Sequence, residues 1–407
     1  MDNDNRFVTG LDIGTENVRA VIASVNNEGK IAIVGYNEDK SAGMRKGIPA
    51  NLAGPAGAID RMLGDAERMG GYDVRSAYVS INGSTVTSVH TEGMIAVGNA
   101  EHEINSEDLD RVEDVAVSGC IPANRTVLDV IPLEYALDGQ AGIKDPMGMS
   151  GARLEIRANV VSALSPNCEN LKRATMNADV QALRLIPTAI AAARAVLNER
   201  QKENGVAVVD FGATTTSIAV YEEGDLQYVG VVPIGSNNIT NDLAIVLAID
   251  PELAEEIKTR FITGNFKSDK SPAIKVGKHG ERTFDRKEVE DVVVARLEEI
   301  FAEVRKKLKA VHYDQRLPEG IIMTGGGAKM RDIDLFAKKC LEASVKIGIP
   351  TGLDGVSDAV AKPEFATAVG LAILAAEDIQ YQTYSSKKSK KTKATSDGFL
   401  KKFFSKF

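Results

Sequence analysis

Apolar and polar positions along this chain repeat one pattern twice, half a chain apart. From Phe7 to Ile22, and again from Val206 to Tyr221, a β-rich apolar run breaks at Asp-x-Gly among polar residues and a second β-rich run follows. Each stretch predicts a hairpin whose turn carries an aspartate, Asp12 in the first and Asp210 in the second. A third segment, Gly320 to Ala328, reads as a buried strand followed by three glycines, Gly325, Gly326 and Gly327. A helix is expected after it, from about Met330 to Cys340. Between the hairpins, Asn105-Ser106-Glu107-Asp108 predicts a capped helix start with acids in the first turn.

Residues 397–407 follow a helical period. At 100° per residue, Phe399, Leu400, Phe403, Phe404 and Phe407 fall within an arc of roughly 140°, with Lys401, Lys402, Ser405 and Lys406 opposite. Ser385 to Lys393 is too polar and too charged to fold, so 381–396 is expected to be a disordered basic linker. A basic tether ending in such a helix reads as a device for lying on an anionic membrane. The alternative is a helix that docks on the body or on a partner, against which the tether argues.

Composition narrows the class. The chain has 407 residues, 43% hydrophobic and 26% charged, which suits a globular body of two domains or more. No apolar run approaches the roughly 18 residues of a spanning helix. The polar N-terminus does not read as a secretory signal. Cys120, Cys168 and Cys340 are scattered and fit a reducing compartment, with no metal-ligand spacing. The four histidines are equally scattered and receive no role. Net charge is −8 although the tail is basic, so the body is more acidic than the total and nucleic acid is not an expected partner.

The paired turns suggest chemistry. Glycine lets backbone N–H groups turn outward towards an anion, and an aspartate at a strand end can hold Mg²⁺ through waters. Two such hairpins could grip a nucleotide polyphosphate from both sides. A bare glycine run lets backbone approach a flat purine; a tight turn would explain one glycine but not three. Ile186 to Ala192 and Ala366 to Ala372 are rich in small residues. Small residues there would let two helices cross closely.

Together these elements resemble the first phosphate, second phosphate and adenosine motifs of the actin-like ATPase superfamily. The run Val130 to Gly151 closely resembles the corresponding stretch of the FtsA family, the bacterial cell-division proteins that tie FtsZ filaments to the membrane. The resemblance covers nearly the whole body, and the tail matches the family plan of a variable linker and then an amphipathic helix. It implies an α/β, actin-like (RNase H-like) two-lobed ATPase fold with an FtsA-type 1C αβ insert and a C-terminal amphipathic helix on a flexible linker. Subdomain 1A would take 1–82 and 163–200, with its returning helix over 356–380. The 1C insert would take 83–162, 2A would take 201–249 and 315–355, and 2B would take 250–314. The linker would span 381–396 and the membrane helix 397–407.

The resemblance also implies roles. Gly14, Thr15, Gly212, Ala213 and Thr214 would cradle the phosphates of ATP, and Gly325, Gly326 and Gly327 would meet the purine. Glu255 and Lys258 would sit near ribose and base, and Asp12 and Asp210 would organise Mg²⁺. The segment 250–312 would dock the C-terminal peptide of FtsZ. Arg305, Lys306, Lys307 and Lys309 would be its basic stripe; without the family match they would read as a solvated charged face. ATP would favour end-to-end self-association, and later division proteins are expected partners. The expected location is the cytoplasmic face of the inner membrane at the division site.

Some residues depart from the family pattern. Only Gly212 remains of a usual glycine cluster, followed by Ala213 and Thr214, and Ser217 stands where an aspartate is frequent. Glu16 puts an acid in the first phosphate loop, unfavourable beside phosphate unless it points away or reaches the metal. A weak or slow ATPase at most is therefore expected. Alternatives on the same fold are a PilM-like adaptor of an envelope assembly, which would not be expected to end in this tether, and a sugar or metabolite kinase, for which no sugar-binding motif is recognisable. A DnaK-type chaperone does not fit the length.

Overall fold

A computed structural model of the chain describes residues 6–261, 273–276, 282–313 and 316–389. The membrane-helix residues Phe399, Leu400, Lys401, Lys402, Phe403, Phe404, Lys406 and Phe407 lie outside them.

The first lobe opens with β1 (Arg6–Ile13), β2 (Asn17–Val25) and β3 (Ile31–Lys40), an antiparallel meander, then short β4 (Met44–Arg45) and β5 (Ile48–Pro49), α1 (Ala53–Gly70) and β6 (Ser76–Ile81). The insert follows as β7 (Thr87–Ala96), α2 (Ser106–Val117), β8 (Arg125–Leu137), β9 (Gln140–Ile143) and β10 (Arg153–Leu164). The first lobe resumes with α3 (Ser165–Met176), β11 (Gln181–Pro187), α4 (Thr188–Val196) and α5 (Glu199–Asn204). The second lobe holds β12 (Val206–Phe211), β13 (Thr216–Glu222), β14 (Asp225–Val232), α6 (Ser236–Val246), α7 (Pro251–Phe261), β15 (Ala273–Val276), β16 (Arg282–Asp285), α8 (Arg286–Ala310), β17 (Ile321–Thr324), α9 (Ile333–Leu341) and β18 (Val345–Ile347). The chain returns to the first lobe through β19 (Asp354–Gly355), α10 (Ser357–Val360) and α11 (Ala366–Ser389).

The two lobe sheets are copies of one plan. In the first, order β11-β6-β1-β2-β3-β19, β1 pairs antiparallel with β2 and parallel with β6. In the second, order β14-β13-β12-β17-β18, β12 pairs antiparallel with β13 and parallel with β17. Both predicted hairpins are these opening pairs. The strands read as continuous apolar runs because both faces are covered. Val206 and Val208 join the core shared with the first lobe, whereas Ala207, Val209 and Phe211 face the core built with α8 and α9.

The insert folds as a sheet of order β7-β10-β8-β9 with α2 on one face. Asn105 caps α2 as expected: its side chain accepts from the Glu107 and Asp108 amides, and Asp108 answers with a bond from the Asn105 N–H. The insert leans on the edge strand β14 of the other lobe. Ser88 Oγ accepts from the Val229 N–H, His90 donates to the Gln227 carbonyl and Asn159 Nδ2 donates to the Leu226 carbonyl, each at 2.8 Å. His90, given no role from sequence, is thus a structural donor that satisfies a strand edge.

The small-residue helices cross as predicted. A Cβ on Gly370 of α11 would stand 1.7 Å from the Ala191 carbonyl oxygen of α4, so only glycine admits this approach. Two expectations need correction. The helix after the triple glycine starts at Ile333, because Gly326–Lys329 forms a 3₁₀ turn first. Residues 381–389, expected to be disordered linker, continue α11. Extending a helix already nucleated in the core adds one hydrogen bond per residue without a new nucleation cost. Among the described residues no helix is long and apolar enough to cross a membrane, and the three cysteines are free.

Candidate functional site between the lobes

The two hairpin turns close in the same way. The Gly14 N–H donates to the Asn17 carbonyl at 3.1 Å, and the Gly212 N–H donates to the Thr215 carbonyl at 3.0 Å. A Cβ would lie 2.7 Å from the Asn17 oxygen in the first turn and 2.9 Å from the Thr215 oxygen in the second. Each glycine is therefore required by its own turn. The turns face each other across the cleft, where Thr214 Oγ1 donates to Thr15 Oγ1 at 2.9 Å.

Between them lies a cavity of about 400 Å³. Every residue assigned from sequence to nucleotide or metal lines it: Asp12, Gly14 and Thr15 from the first lobe, Asp210, Gly212, Ala213 and Thr214 from the second hairpin, Glu255 and Lys258 from α7, and Gly325, Gly326 and Gly327. The three glycines have different duties. Gly325 has φ +86°, and a Cβ there would meet Asp210 Oδ1 at 2.3 Å. A Cβ on Gly327 would strike the Phe211 ring at 2.6 Å. Gly326 has nothing within 4 Å of its Cβ position and is the one of the three whose added side chain would have open space. Internal packing thus accounts for two glycines that the sequence reading had given to a ligand.

Asp12 and Asp210 end their strands in the cleft, each 8% exposed. Burial raises the Asp12 carboxyl above its usual range, partly offset by Arg19, whose Nη1 lies 3.9 Å from Oδ2. Asp210 is pushed up to about 7, by burial first and by the charge of Asp12 second. Two buried carboxylates that each resist ionising are stabilised by a cation between them. Among the described residues no group of three or more His, Cys, Asp or Glu could hold a metal directly. Two strand-end carboxylates, Asp12 and Asp210, are a donor set that suits a cation keeping most of its water, as Mg²⁺ does.

On the second lobe, Lys258 is buried and its Nζ meets Glu255 Oε2 at 2.6 Å and Thr240 Oγ1 at 2.9 Å. Burial lowers its pKa despite the opposing pull of Glu255. The pair presents a donor and an acceptor side by side, which suits ribose hydroxyls.

Sequence reasoning missed several lining residues. Asn82, just after β6, donates to Thr215 Oγ1 and accepts from Ser217 Oγ, both at 3.0 Å, and Thr188 Oγ1 donates to Ser217 Oγ at 3.0 Å. Ser217, where an acid is frequent in the family pattern, is therefore an interlobe link. Lys329 pairs with buried Glu364 at 2.9 Å across the far side of the cleft. Asn82 follows the strand and Thr188 opens the helix, and position at a strand or helix end was their one signal.

The proposed partner residues lie elsewhere, on α8. Arg305 makes a two-pronged pair with Glu342, both bonds at 2.6 Å, and Lys306 pairs with Glu303 at 3.2 Å. At 100° per residue Arg305 and Lys309 share a face while Lys307 points well away from it.

A duplicated sheet plan around an interlobe cleft, with mirrored Asp-x-Gly turns, defines the actin-like class. Solved structures agree. The PilM–PilN type IV pilus biogenesis complex matches with a TM-score of 0.66 at 18% identity, over 91% of this chain and 98% of that one. MreB5 of Spiroplasma citri bound to ADP matches with a TM-score of 0.53 at 14% identity, over 93% and 98%. Within that class the sequence is specific. The family model described as cell division protein FtsA matches residues 207–370, and the SHS2 domain inserted in FtsA matches residues 83–162. Cell division protein FtsA of Pseudomonas aeruginosa is 34% identical over 90% of this chain and 88% of its own length. That of Borreliella burgdorferi is 32% identical over 98% and 99%, and that of Escherichia coli 32% over 90% and 90%. The chain belongs to the FtsA family of cell-division proteins.

Proposed function

We propose that this FtsA-family chain binds Mg·ATP in the interlobe cleft, self-associates, and links the C-terminal peptide of FtsZ to an anionic membrane at the division site. The observation that supports it most is the convergence of all the nucleotide and metal residues assigned from sequence on one cavity. The size of that cavity suits a nucleotide. The fold neighbour MreB 5 of Spiroplasma citri has been solved with ADP and with AMPPNP, which favours the same ligand class here.

Asp12 and Asp210 would hold Mg²⁺ through its waters, and the metal would neutralise phosphate charge. The backbone of Gly14, Thr15, Gly212, Ala213 and Thr214 would receive the phosphates, with Gly326 towards the purine and Glu255 and Lys258 at the ribose. A ligand held by both hairpins biases the lobes towards closure, and α4 and α11 cross tightly where they would pivot. Turnover is slow on this reading, since Ala213 and Thr214 crowd the second turn where glycines would open it. The tail 397–407 supplies the membrane contact and α8 the peptide contact, both from sequence. The FtsA relatives at 32–34% identity favour this reading over a PilM-like adaptor.

Titration calorimetry of the full chain with Mg·ATP, with and without Asp210→Ala, tests the cleft. Micromolar or tighter binding that weakens at least tenfold in the variant is expected. Equal affinity in both would overturn the assignment.

A further inference from the structure

Glu16 places a negative charge in the turn where phosphate is expected, and the structure shows how that charge is held. Its Oε1 meets Lys40 Nζ at 2.7 Å, and its Oε2 accepts from Asn237 Nδ2 at 2.9 Å. Lys40 ends β3 opposite Asn17, and the Ser41 N–H donates to the Glu16 carbonyl at 2.9 Å. Asn237 belongs to α6 of the other lobe, and its N–H donates to the Ala213 carbonyl of the second turn at 2.7 Å. One carboxylate therefore touches donors from both lobes beside both phosphate turns. Glu16, Lys40 and Asn237 all line the 400 Å³ cavity. Lys258 is near enough that its charge also acts on Glu16.

The Glu16–Lys40 pair is open to solvent, its side chains 46% and 74% exposed. Such a pair is weak and readily exchanged for a better acceptor. A polyphosphate offers Lys40 and Asn237 the same kind of oxygen with more charge. A carboxylate left among phosphates is repelled by them.

We infer that Glu16 is an internal stand-in for phosphate: it occupies Lys40 and Asn237 until the polyphosphate of a nucleoside di- or triphosphate takes over both donors. Lys40 is then a phosphate-binding residue supplied from outside the turns, and Glu16 is a competitor that sets the affinity. This rests on the nucleotide reading of the cleft and sharpens it.

Calorimetry on the full chain with Mg·ATP, Mg·ADP and adenosine tests the exchange, using wild type, Glu16→Gln, Lys40→Met and the double variant. Glu16→Gln is expected to tighten both nucleotides about tenfold and Lys40→Met to weaken both about tenfold. Adenosine affinity stays unchanged in all four proteins, and the gain from Glu16→Gln shrinks when Lys40 is already methionine. Both side chains are solvent-facing, so unchanged thermal unfolding checks that the fold is intact. Nucleotide affinities within twofold of wild type in both single variants would show an ordinary surface ion pair and overturn the inference while leaving the cleft assignment standing. Adenosine shifting by the same factor as the nucleotides would also overturn it. A wild type that binds neither nucleotide nor adenosine would remove the nucleotide reading itself.

Discussion

Gly325 and Asp210 are in mutual contact across two strands: the glycine backbone passes so near the carboxylate that a Cβ would stand 2.3 Å from Oδ1. Because β12 and β17 run parallel with Asp210 beside Thr324, this proximity is set by strand register and cannot relax locally. Gly325→Ala would also have to adopt φ +86°. The expected cost is about 1–3 kcal/mol of stability. Displacement of Asp210 should lower Mg·ATP affinity at the same time. Gly326→Ala should separate the two effects, leaving the melting temperature within a degree or two while weakening nucleotide binding. Equal melting temperatures for the two variants would contradict the division of labour among the glycines.

The carboxyl of Asp210 gives the cleft a pH dependence. Its folded pKa, raised to about 7 by burial and by the charge of Asp12, lies well above the ordinary carboxylate range. The folded chain therefore holds this proton more tightly than the unfolded chain does. Its stabilising contribution without a cation is full below about pH 4, falls by roughly 1.4 kcal/mol per pH unit towards pH 7, and levels off above. A cation must displace that proton, so Mg²⁺ affinity should rise with pH up to about 7 and then flatten. Urea unfolding and Mg·ATP calorimetry at pH 5, 6, 7 and 8 would show both trends. Asp210→Asn should lose this component of each. Parallel pH curves for the two proteins would refute the assignment.

The pivot beneath the cleft can be tested separately. At Gly370 the backbone of α4 leaves no room for a methyl group, with the Ala191 oxygen 1.7 Å from the Cβ position. Gly370→Ala should force the helices apart at a cost on the order of 3 kcal/mol, read as a lower urea midpoint. Neither Gly370 nor Ala191 lines the cavity. Any loss of nucleotide affinity in this variant would therefore report altered lobe closure.

What was legible in the sequence follows from range. The hairpins and the capped α2 showed because their signals, alternation, Asp-x-Gly and Asn-x-x-Asp, act within a few residues. Gly370 could be read as a close crossing because small residues recur at helical spacing. The separate duties of Gly325 and Gly327 could not, since Asp210 and Phe211 lie far away in sequence. Lys40 carried no motif, being placed opposite the first turn by β2–β3 register. Glu16 was legible as a misfit but not as a ligand of Lys40 and Asn237. Composition starts the linker nine residues too early because it shows where a core ends, whereas a nucleated helix runs past it.

The proposed peptide dock on α8 gives a charge test sharpened by the structure. Arg305 and Lys309 are one helical turn apart, and Glu342 already engages Arg305. Reversing both positive charges should weaken FtsZ-peptide binding, more at low salt than at high. Glu342→Gln should strengthen it by removing a carboxylate that competes with the peptide for Arg305. Peptide affinity unchanged in both proteins would place the dock away from this face of α8.

The proposed membrane anchor is 397–407, whose sequence pattern makes a quantitative forecast. A segment this short is marginal as a helix in water, so helix formation should couple to insertion. Each of Phe399, Leu400, Phe403, Phe404 and Phe407 can contribute at most about 1–3 kcal/mol, reduced by partial burial at an interface. Each lysine near an anionic surface adds roughly 1 kcal/mol. Phe403→Glu should therefore cost more vesicle binding than Lys402→Ala, because it removes apolar area and sets a charge against lipid. Self-association of the bodies multiplies the anchors, so binding should steepen with protein concentration. Truncation after Thr395 should abolish sedimentation with anionic vesicles while leaving Mg·ATP affinity unchanged. A truncated chain that still pelleted with those vesicles would place the anchor in the body, where the acidic surface would then have to be reconciled with anionic lipid.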